Sequence, residues 1–262
     1  MPVFYDQLNR VVNLPSTPKR IVSVVPSQTE LLFYLGLNEE VVGITKFCIH
    51  PADKIKRVAK VGGTKTLDIP KIKKLQPDLI IANKEENDQG QIELLMKFFP
   101  VWISDITTLT DAIDMIERVG VITRNEAQAN ALNQTIFQKF NNLNIPALNY
   151  RAAYFIWRKP YMVAGANTFI DNMLQKCGFA NAFELERYPE VYASSLVEAN
   201  PDIVLLSSEP YPFKERHIAE FKALLPDAII KIVDGEIFSW YGSKLVQAPE
   251  YFEKLTLELG NG

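Results

Sequence analysis

The chain alternates between two hydrophobic periods, and the first example lies near its N-terminus. The segment 21-IVSVV-25 is short and β-branched, which is typical of a strand buried on both faces. After Pro26 the apolar residues LLFYL take helical spacing, and Gly36 is a typical helix end. Ser27, with Glu30 three residues later, predicts a capping box. The helix start would then lie at the carboxyl end of the strand, where α/β sheets bind ligands, unless the motif only caps the helix.

The same alternation continues through the first half of the chain. Strands are predicted at 41-VVGIT-45, 79-LIIA-82 and 101-VWIS-104, and helices at 69-IPKIKKLQ-76 and 91-QIELLMKFF-99. Strands that alternate with helices indicate a mostly parallel sheet.

The second half repeats this pattern, with a strand at 152-AAYFIW-157 and a helix at 168-TFIDNMLQKCG-178. Two pairs of segments match: 196-LVEANPDIVLLSS-208 with 72-IKKLQPDLIIANK-84, and 229-IIKIVD-234 with 101-VWISDI-106. The repeated Pro-Asp-strand unit predicts two α/β lobes of similar build.

A helical segment at 109–146 separates the two halves. Gly120 and 123-TRN-125 predict a break, with Asn125 capping the second helix, which spans roughly 27 Å at about 1.5 Å per residue. Such a connector is stiff, since flexible linkers are rich in Gly and Ser. We therefore predict an α/β fold of two Rossmann-like lobes joined by one long rigid helix, with a ligand cleft between them. The predicted domains are 1–108 (N-terminal lobe), 109–146 (connector) and 147–262 (C-terminal lobe).

Composition and charge exclude several classes of protein. Apolar residues make up 47% and charged residues 23%, which favours a well-packed soluble protein. The net charge of −3 offers no electrostatic basis for binding nucleic acid or an anionic membrane. Cys48 and Cys177 form either two free thiols or one disulfide. The N-terminus has no basic region followed by an apolar one, so either a signal was removed or the protein stays in the cytoplasm.

The loops that follow the predicted strands are rich in aromatic and polar residues. All three tryptophans fall at or beside strand ends, although any one Trp is more often a core residue. Aromatic walls with a few polar groups suit a large, partly apolar small molecule. The candidate ligand-binding residues are Ser27, Gln28, Thr29, Lys46, Phe47, His50, Trp102, Trp157, Arg158, Tyr211, Phe213, Phe238, Trp240 and Tyr241.

The sequence contains few candidate metal ligands and no clear catalytic motif. A four-ligand zinc site is not expected, because His217 is the only histidine besides His50. Cys48 or His50 is either a single axial ligand to a metal held in a macrocycle or an ordinary loop residue. Arg158 with Lys159 either holds carboxylates or phosphates of a ligand or is simply solvated. No catalytic residue is predicted, because no nucleophile-elbow motif surrounds Ser27. No resident metal or intrinsic cofactor is predicted either.

Several motifs together resemble a known family. The segment from Asp6 to Ser23 reads D-x-x-x-R-x-V-x-L-P-x-x-P-x-R-I-V-S, and P-S-x-T-E follows at Pro26. With the two Pro-Asp units and the long joining helix, this resembles the periplasmic substrate-binding proteins with a helical backbone. These are receptors of ABC importers for cobalamin, ferric siderophores and haem. The resemblance covers essentially the whole chain and is greatest to the cobalamin-binding branch.

The resemblance implies that a monomer binds cobalamin or another metal chelate between two lobes and delivers it to an ABC permease. It also implies a periplasmic location. Family members carry one docking glutamate per lobe, but Pro70 and Ser194 stand at those positions, with Asp68 and Glu198 nearby. Two alternatives therefore stay open: a cytoplasmic corrinoid or tetrapyrrole carrier or sensor without a permease, and an enzyme on a related bilobal fold.

Overall fold

The computed structural model describes residues 3–260, which form two compact units. Unit 1 comprises the chain up to Ile106, Thr110–Phe137 and Tyr241–Lys244; unit 2 comprises Thr107–Leu109, Gln138–Trp240 and the chain from Leu245. Both units contain a β-sheet with parallel strands and flanking helices, so the predicted α/β class is confirmed. The finer division at residues 108 and 146 stays a prediction.

Unit 1 is built on a parallel sheet. Its strands are β3 (Ile21–Ser23), β4 (Val41–Ile44), β5 (Ala59–Lys60), β6 (Leu79–Asn83) and β7 (Val101–Ser104), in the order β5-β4-β3-β6-β7 over the described residues. A separate antiparallel hairpin precedes them, formed by β1 (Val3–Tyr5) and β2 (Val11–Asn13). The helices are α1 (Pro26–Tyr34), α2 (Ile69–Leu75) and α3 (Gln89–Met96). Val22, Ile80, Ile72 and Leu95 meet in one apolar cluster, which explains the unbroken apolar strand sequences.

The start of α1 differs from the prediction. The helix begins at Pro26, with Val25 at the N-cap position and no side-chain cap. Proline suits the first helical position because its φ is already helical and its missing N–H needs no partner. Ser27 therefore lies inside the first turn, and the predicted Ser27–Glu30 capping box is wrong. Thr29 Oγ1 instead donates to the Val25 carbonyl at 2.9 Å.

Two helices, α4 (Leu109–Thr123) and α5 (Glu126–Asn141), occupy the predicted helical segment. The break between them is confirmed: Arg124 has a left-handed φ of 61°. Gly120 permits close packing here, since a Cβ on it would lie 2.4 Å from the Ala129 Cβ. The side chain of Asn125 donates back to the Thr123 carbonyl at 2.9 Å, and its own carbonyl accepts the Ala129 N–H at 3.0 Å. The boundary between the two units falls within α5.

Unit 2 is built on a mixed sheet. Its strands are β8 (Arg151–Trp157), β9 (Tyr161–Val163), β10 (Ala180–Asn181), β11 (Glu190–Val191), β12 (Ile203–Ser207) and β13 (Ile229–Val233). In the described chain they run β11-β9-β8-β12-β13, with β10 also paired to β8. β8, β12 and β13 are parallel, whereas β9 is antiparallel to β8. The helices are α6 (Phe169–Lys176), α7 (Ala193–Ala199), α8 (Glu215–Leu224), α9 (Gly235–Ser239) and α10 (Ala248–Gly260).

The Pro-Asp repeat makes similar hydrogen bonds in both units. In unit 1, the Asp78 carboxylate accepts the backbone N–H groups of Lys19 and Arg20 at 2.7 and 2.8 Å. In unit 2, the Asp202 carboxylate accepts the N–H of Arg151 at 2.7 Å. The guanidinium groups of Arg20 and Arg151 donate to the carbonyls of Leu75 and Ala199, the last residues of α2 and α7. Each of these helices directly precedes a Pro-Asp unit. Each Asp thus fixes the register of the strand that enters beside it.

Candidate functional site

The carboxyl edge of the unit 1 sheet carries a buried polar network. Thr29 Oγ1 lies 2.8 Å from Ser23 Oγ and 3.1 Å from Cys48 Sγ. Gln28 Nε2 donates to Ser104 Oγ, which also accepts from Asn83 Nδ2 at 3.0 Å. Residues at or just after the ends of β3, β4, β6 and β7 are thereby linked, as expected when parallel strands end at a common edge.

Part of this network has no partner within the protein. In the described part of the chain, Ser27 Oγ, Gln28 Oε1 and Ser243 Oγ are buried without a hydrogen bond. Buried polar atoms are normally paired, and one left unpaired costs about 1–3 kcal/mol. Gly242, next to Ser243, packs on α1: a Cβ on Gly242 would lie 3.5 Å from the Ser27 carbonyl oxygen. These orphaned atoms at the α1 N-terminus suit a water molecule or a polar ligand group.

The segment Tyr241–Lys244 reaches the same edge although it comes from the far end of the chain. Tyr241 is buried, and its hydroxyl donates to the carboxylate of Glu86 at 2.8 Å. Glu86 belongs to the loop after β6. The structure thus brings the predicted residues Ser27, Gln28, Thr29 and Tyr241 together in unit 1.

The loop after β4 presents both exposed and buried candidates. Phe47 is 51% exposed, and Lys46 Nζ lies 5.0 Å from the centre of its ring. Cys48 is buried between Thr29 and Thr45, and burial raises the pKa of its thiol. His50 is half-buried. The thiols of Cys48 and Cys177 are both free, so the open question of a disulfide is resolved in favour of free thiols.

The carboxyl edge of the unit 2 sheet presents an aromatic cluster. Trp157 is 39% exposed and packs edge-on against Tyr211, with ring centroids 5.7 Å apart. Tyr211 packs in turn on Phe213, at 4.8 Å, and on His217, at 5.6 Å. The loops after β8 and β12 therefore contribute one continuous aromatic surface, which exposes Trp157 and part of Tyr211 and buries Phe213.

His217 holds this cluster at the start of α8. Its Nδ1 accepts the backbone N–H of Lys214 at 2.8 Å, which closes a capping box. Burial, followed by the guanidinium groups of Arg158 and Arg216, lowers the pKa of His217. The ring is consequently neutral near pH 7 and serves as a hydrogen-bond acceptor.

Arg158 is held in an ion pair. Its Nε and Nη2 donate to the Glu220 carboxylate at 2.9 and 2.6 Å. The Tyr161 hydroxyl donates to the other oxygen of Glu220. Partial burial acts to raise the pKa of the Glu220 carboxyl, but the bonds from Arg158 and Tyr161 outweigh it, and this pKa lies below its usual value.

A second carboxylate lies in the loop after β12. Glu209 Oε1 accepts from Trp240 Nε1 at 2.7 Å and from Ser239 Oγ at 2.9 Å. Burial raises the pKa of Glu209, although these two hydrogen bonds oppose the shift. Gly235 permits this arrangement, because a Cβ there would lie 2.6 Å from the Glu209 Cγ.

The three tryptophans occupy different environments. Trp102 lies in β7 with no exposed surface and donates to the Tyr5 carbonyl at 3.3 Å. Trp240 is 5% exposed and Trp157 is 39% exposed. Phe238 is also fully buried, packed between Tyr154 and Phe252. Trp102 and Phe238 thus have no surface open to a ligand in this structure. The aromatic residues predicted to line the site therefore differ in exposure, and these two are core residues.

Sequence reasoning did not identify Glu86, Glu209, Glu220 or Ser243. Glu86 and Glu209 lie in the strand-end loops 83-NKEEND-88 and 207-SSEPYPF-213, so their position was a usable signal. Glu220 lies in the middle of α8, and only the tertiary structure brings it to Arg158.

Within residues 3–260, no group of three or more His, Cys, Asp and Glu side chains is placed to hold a metal ion. Within the same range, none of the helices combines the length and apolar character needed to span a bilayer.

Comparisons with known proteins agree on one architecture. A vitamin B12-binding protein of Pectobacterium carotovorum subsp. carotovorum (strain PC1) is 24% identical over 201 residues, covering 74% of this chain and 72% of that protein. The periplasmic vitamin B12-binding protein BtuF of Vibrio cholerae superposes with a TM-score of 0.79 at 20% identity, covering 95% and 100% of the two chains. The periplasmic haem-binding protein HutB of Vibrio cholerae gives 0.75 at 22% identity, covering 90% and 98%.

The match to a protein-family model shows the family of the chain. The model for the periplasmic binding protein family matches residues 21–231, which is far more than half of the chain. The matched range contains most of both sheets, both Pro-Asp units and helices α1 to α8. The chain therefore belongs to the periplasmic binding protein family.

Proposed function

We propose that this chain is the substrate-binding protein of an ABC-type importer and that its ligand is cobalamin or a related corrinoid. Relatives named as vitamin B12-binding proteins support the ligand class. The observation that carries the proposal is the exposed aromatic surface at the carboxyl edge of the unit 2 sheet, and the buried polar atoms without a partner in unit 1 support it separately. Ligand-binding clefts combine apolar walls with a few fixed polar groups.

Two cations at these edges are paired with carboxylates, which favours a neutral ligand. Arg158 is paired with Glu220, and Lys84 is paired with Asp105 at 2.6 Å. A paired cation gains little from a second anion, because the first carboxylate repels it. Haem and many siderophores carry carboxylates or catecholates, whereas a corrinoid presents neutral amides. We therefore favour the corrinoid over the anionic chelates.

The candidate ligand contacts are exposed aromatic residues in each unit and, in unit 1, buried polar atoms without a protein partner. Trp157 and Tyr211 offer aromatic surface in unit 2, and Phe47 offers it in unit 1. Lys46 Nζ lies 5.0 Å from the centre of the Phe47 ring, and His50 follows in the same loop. Ser27 and Gln28 supply the polar atoms. His50 remains the candidate axial ligand, because Cys48 already contacts two threonine hydroxyls and is buried.

A calorimetric and visible-absorbance titration tests the function. Cyanocobalamin, haem and a ferric siderophore are added separately to the purified protein. We expect saturable one-to-one binding of cyanocobalamin and no product formed from it. Binding of haem or the siderophore alone would replace the corrinoid with that ligand, and binding of none of the three would refute the proposal. Conversion of a bound compound would favour the enzyme alternative.

The permease partner is the second part of the proposal. Asp68 and Glu198 are exposed and stand near the positions of Pro70 and Ser194. Asp68 also caps α2 by accepting the Lys71 N–H at 3.0 Å. The double variant Asp68→Asn/Glu198→Gln should reduce stimulation of ATP hydrolysis by the cognate permease, while Asn still caps the helix. Full stimulation would remove these two residues from docking, and failure to stimulate any permease would favour the carrier alternative.

A further inference from the structure

Glu220 lies at the centre of a small charged cluster in unit 2. It projects from α8 and reaches Arg158, which follows β8, and Tyr161, which begins β9. One carboxylate oxygen accepts both Arg158 bonds, at 2.9 and 2.6 Å, and the other accepts the Tyr161 hydroxyl. Both oxygens are therefore occupied by fixed donors, and the carboxylate cannot turn away from Arg158 without losing them.

The cluster adjoins the aromatic surface of the proposed ligand site. Arg158 directly follows Trp157 in sequence, and Trp157 packs edge-on against Tyr211. The side chains of Arg158 and Glu220 are 26% and 28% exposed. Both charges are thus close enough to the surface to act on a ligand seated against Trp157.

We infer that Glu220 is a specificity-determining residue that neutralises Arg158 and so excludes anionic ligands from the unit 2 aromatic surface. The inference rests on the proposed function, since it assumes a ligand on Trp157. An unpaired guanidinium beside an aromatic wall is a strong carboxylate site. Pairing it within the protein removes that attraction and adds repulsion, which is a means of rejecting the wrong ligand.

The sharpest test uses two ligands that differ by one charge. Cyanocobalamin is neutral at its peripheral amides, and its monocarboxylic acids carry one carboxylate in place of one amide. The measured quantity is the ratio of their Kd values for each variant, so that general losses of affinity cancel. Haem serves as a third, more anionic probe.

Three variants separate charge from structure. Glu220→Gln keeps the size of the side chain and one acceptor oxygen but removes the charge, and it should shift the ratio towards the monocarboxylic acids by about tenfold. The double variant Arg158→Gln/Glu220→Gln should return the ratio to that of the wild type, because the released cation is gone. Glu215→Gln, an exposed change of equal charge in the first turn of the same helix, should leave the ratio unchanged.

Each outcome bears on a different claim. An unchanged ratio in a folded Glu220→Gln protein would overturn the inference, as would an equal shift in Glu215→Gln, which would indicate a long-range charge effect. If Glu220→Gln does not fold, Arg158→Gln alone is decisive. It leaves Glu220 unpaired and should strengthen the rejection of the monocarboxylic acids; no change would overturn the inference. Wild-type protein that binds no corrinoid at all would refute the proposed function instead.

Discussion

Replacing Trp157 with alanine should weaken ligand binding without unfolding the protein. Trp157 is 39% exposed, so of roughly 250 Å² of side-chain surface about 100 Å² is open to a ligand. At about 25 cal/mol per Å², complete cover of this surface would contribute about 2.5 kcal/mol, and partial cover about 1–2 kcal/mol. The expected Kd for cyanocobalamin is therefore roughly 5- to 30-fold weaker than that of the wild type.

The assay is calorimetric titration, paired with urea unfolding of the same samples. Trp102→Ala is the matched contrast, because Trp102 has no exposed surface and donates a hydrogen bond inside unit 1. That variant should lose about 3–5 kcal/mol of stability. Trp157→Ala should instead unfold near the wild-type urea concentration. Unchanged affinity in a folded Trp157→Ala protein would refute the placement of the ligand on this surface.

Three further predictions concern stability and protonation. Asp78→Ala should destabilise unit 1 by about 1–2 kcal/mol and Asp202→Ala should destabilise unit 2 by about half as much, because Asp78 accepts two backbone N–H groups and Asp202 one; hydrogen exchange in β3 and β8 measures the difference. The raised pKa of Glu209 means that the folded state holds its proton more tightly than the unfolded state. This contribution to stability is complete below the unfolded pKa and is lost as the pH rises through the folded one, so Glu209→Gln should flatten that part of a stability–pH profile. The lowered pKa of His217 has the opposite sign: stability should fall as the pH drops below about 6.5, and the ring should titrate below that value by NMR; a midpoint above it would contradict the neutral acceptor role.

Regular elements were the easiest part to predict from sequence. The strand at 79–82 and the helix at 69–76 match the structure to within a residue or two. Their apolar residues are continuous or helically spaced because one sheet and one helix face bury them, and that periodicity is local information. The hairpin of β1 and β2 and the two-residue strands were missed, since such short segments carry no detectable period.

The capping-box error has a local cause. Ser27 and Glu30 have the right spacing, but Pro26 can begin a helix itself and moves the cap position to Val25. The capping-box spacing places the N-cap at Ser27, whereas the fixed φ of Pro26 places it at Val25. The structure follows the proline. Ser27 then became a buried hydroxyl without a protein partner, which is a more informative feature than a cap.

The sequence by itself determined the α/β class, the two Pro-Asp units and the family, because these depend on periodicity and on motifs with fixed spacing. The tertiary structure alone decided which strand-end residues keep an exposed surface and which charges are paired. Trp157 is the last residue of β8 and keeps exposed surface, whereas Trp102 is the second residue of β7 and is fully buried. Glu220 lies 62 residues from Arg158 along the chain and 2.6 Å away in the folded unit. Burial and ion pairing are properties of neighbours that are distant in sequence, and no local pattern specifies them.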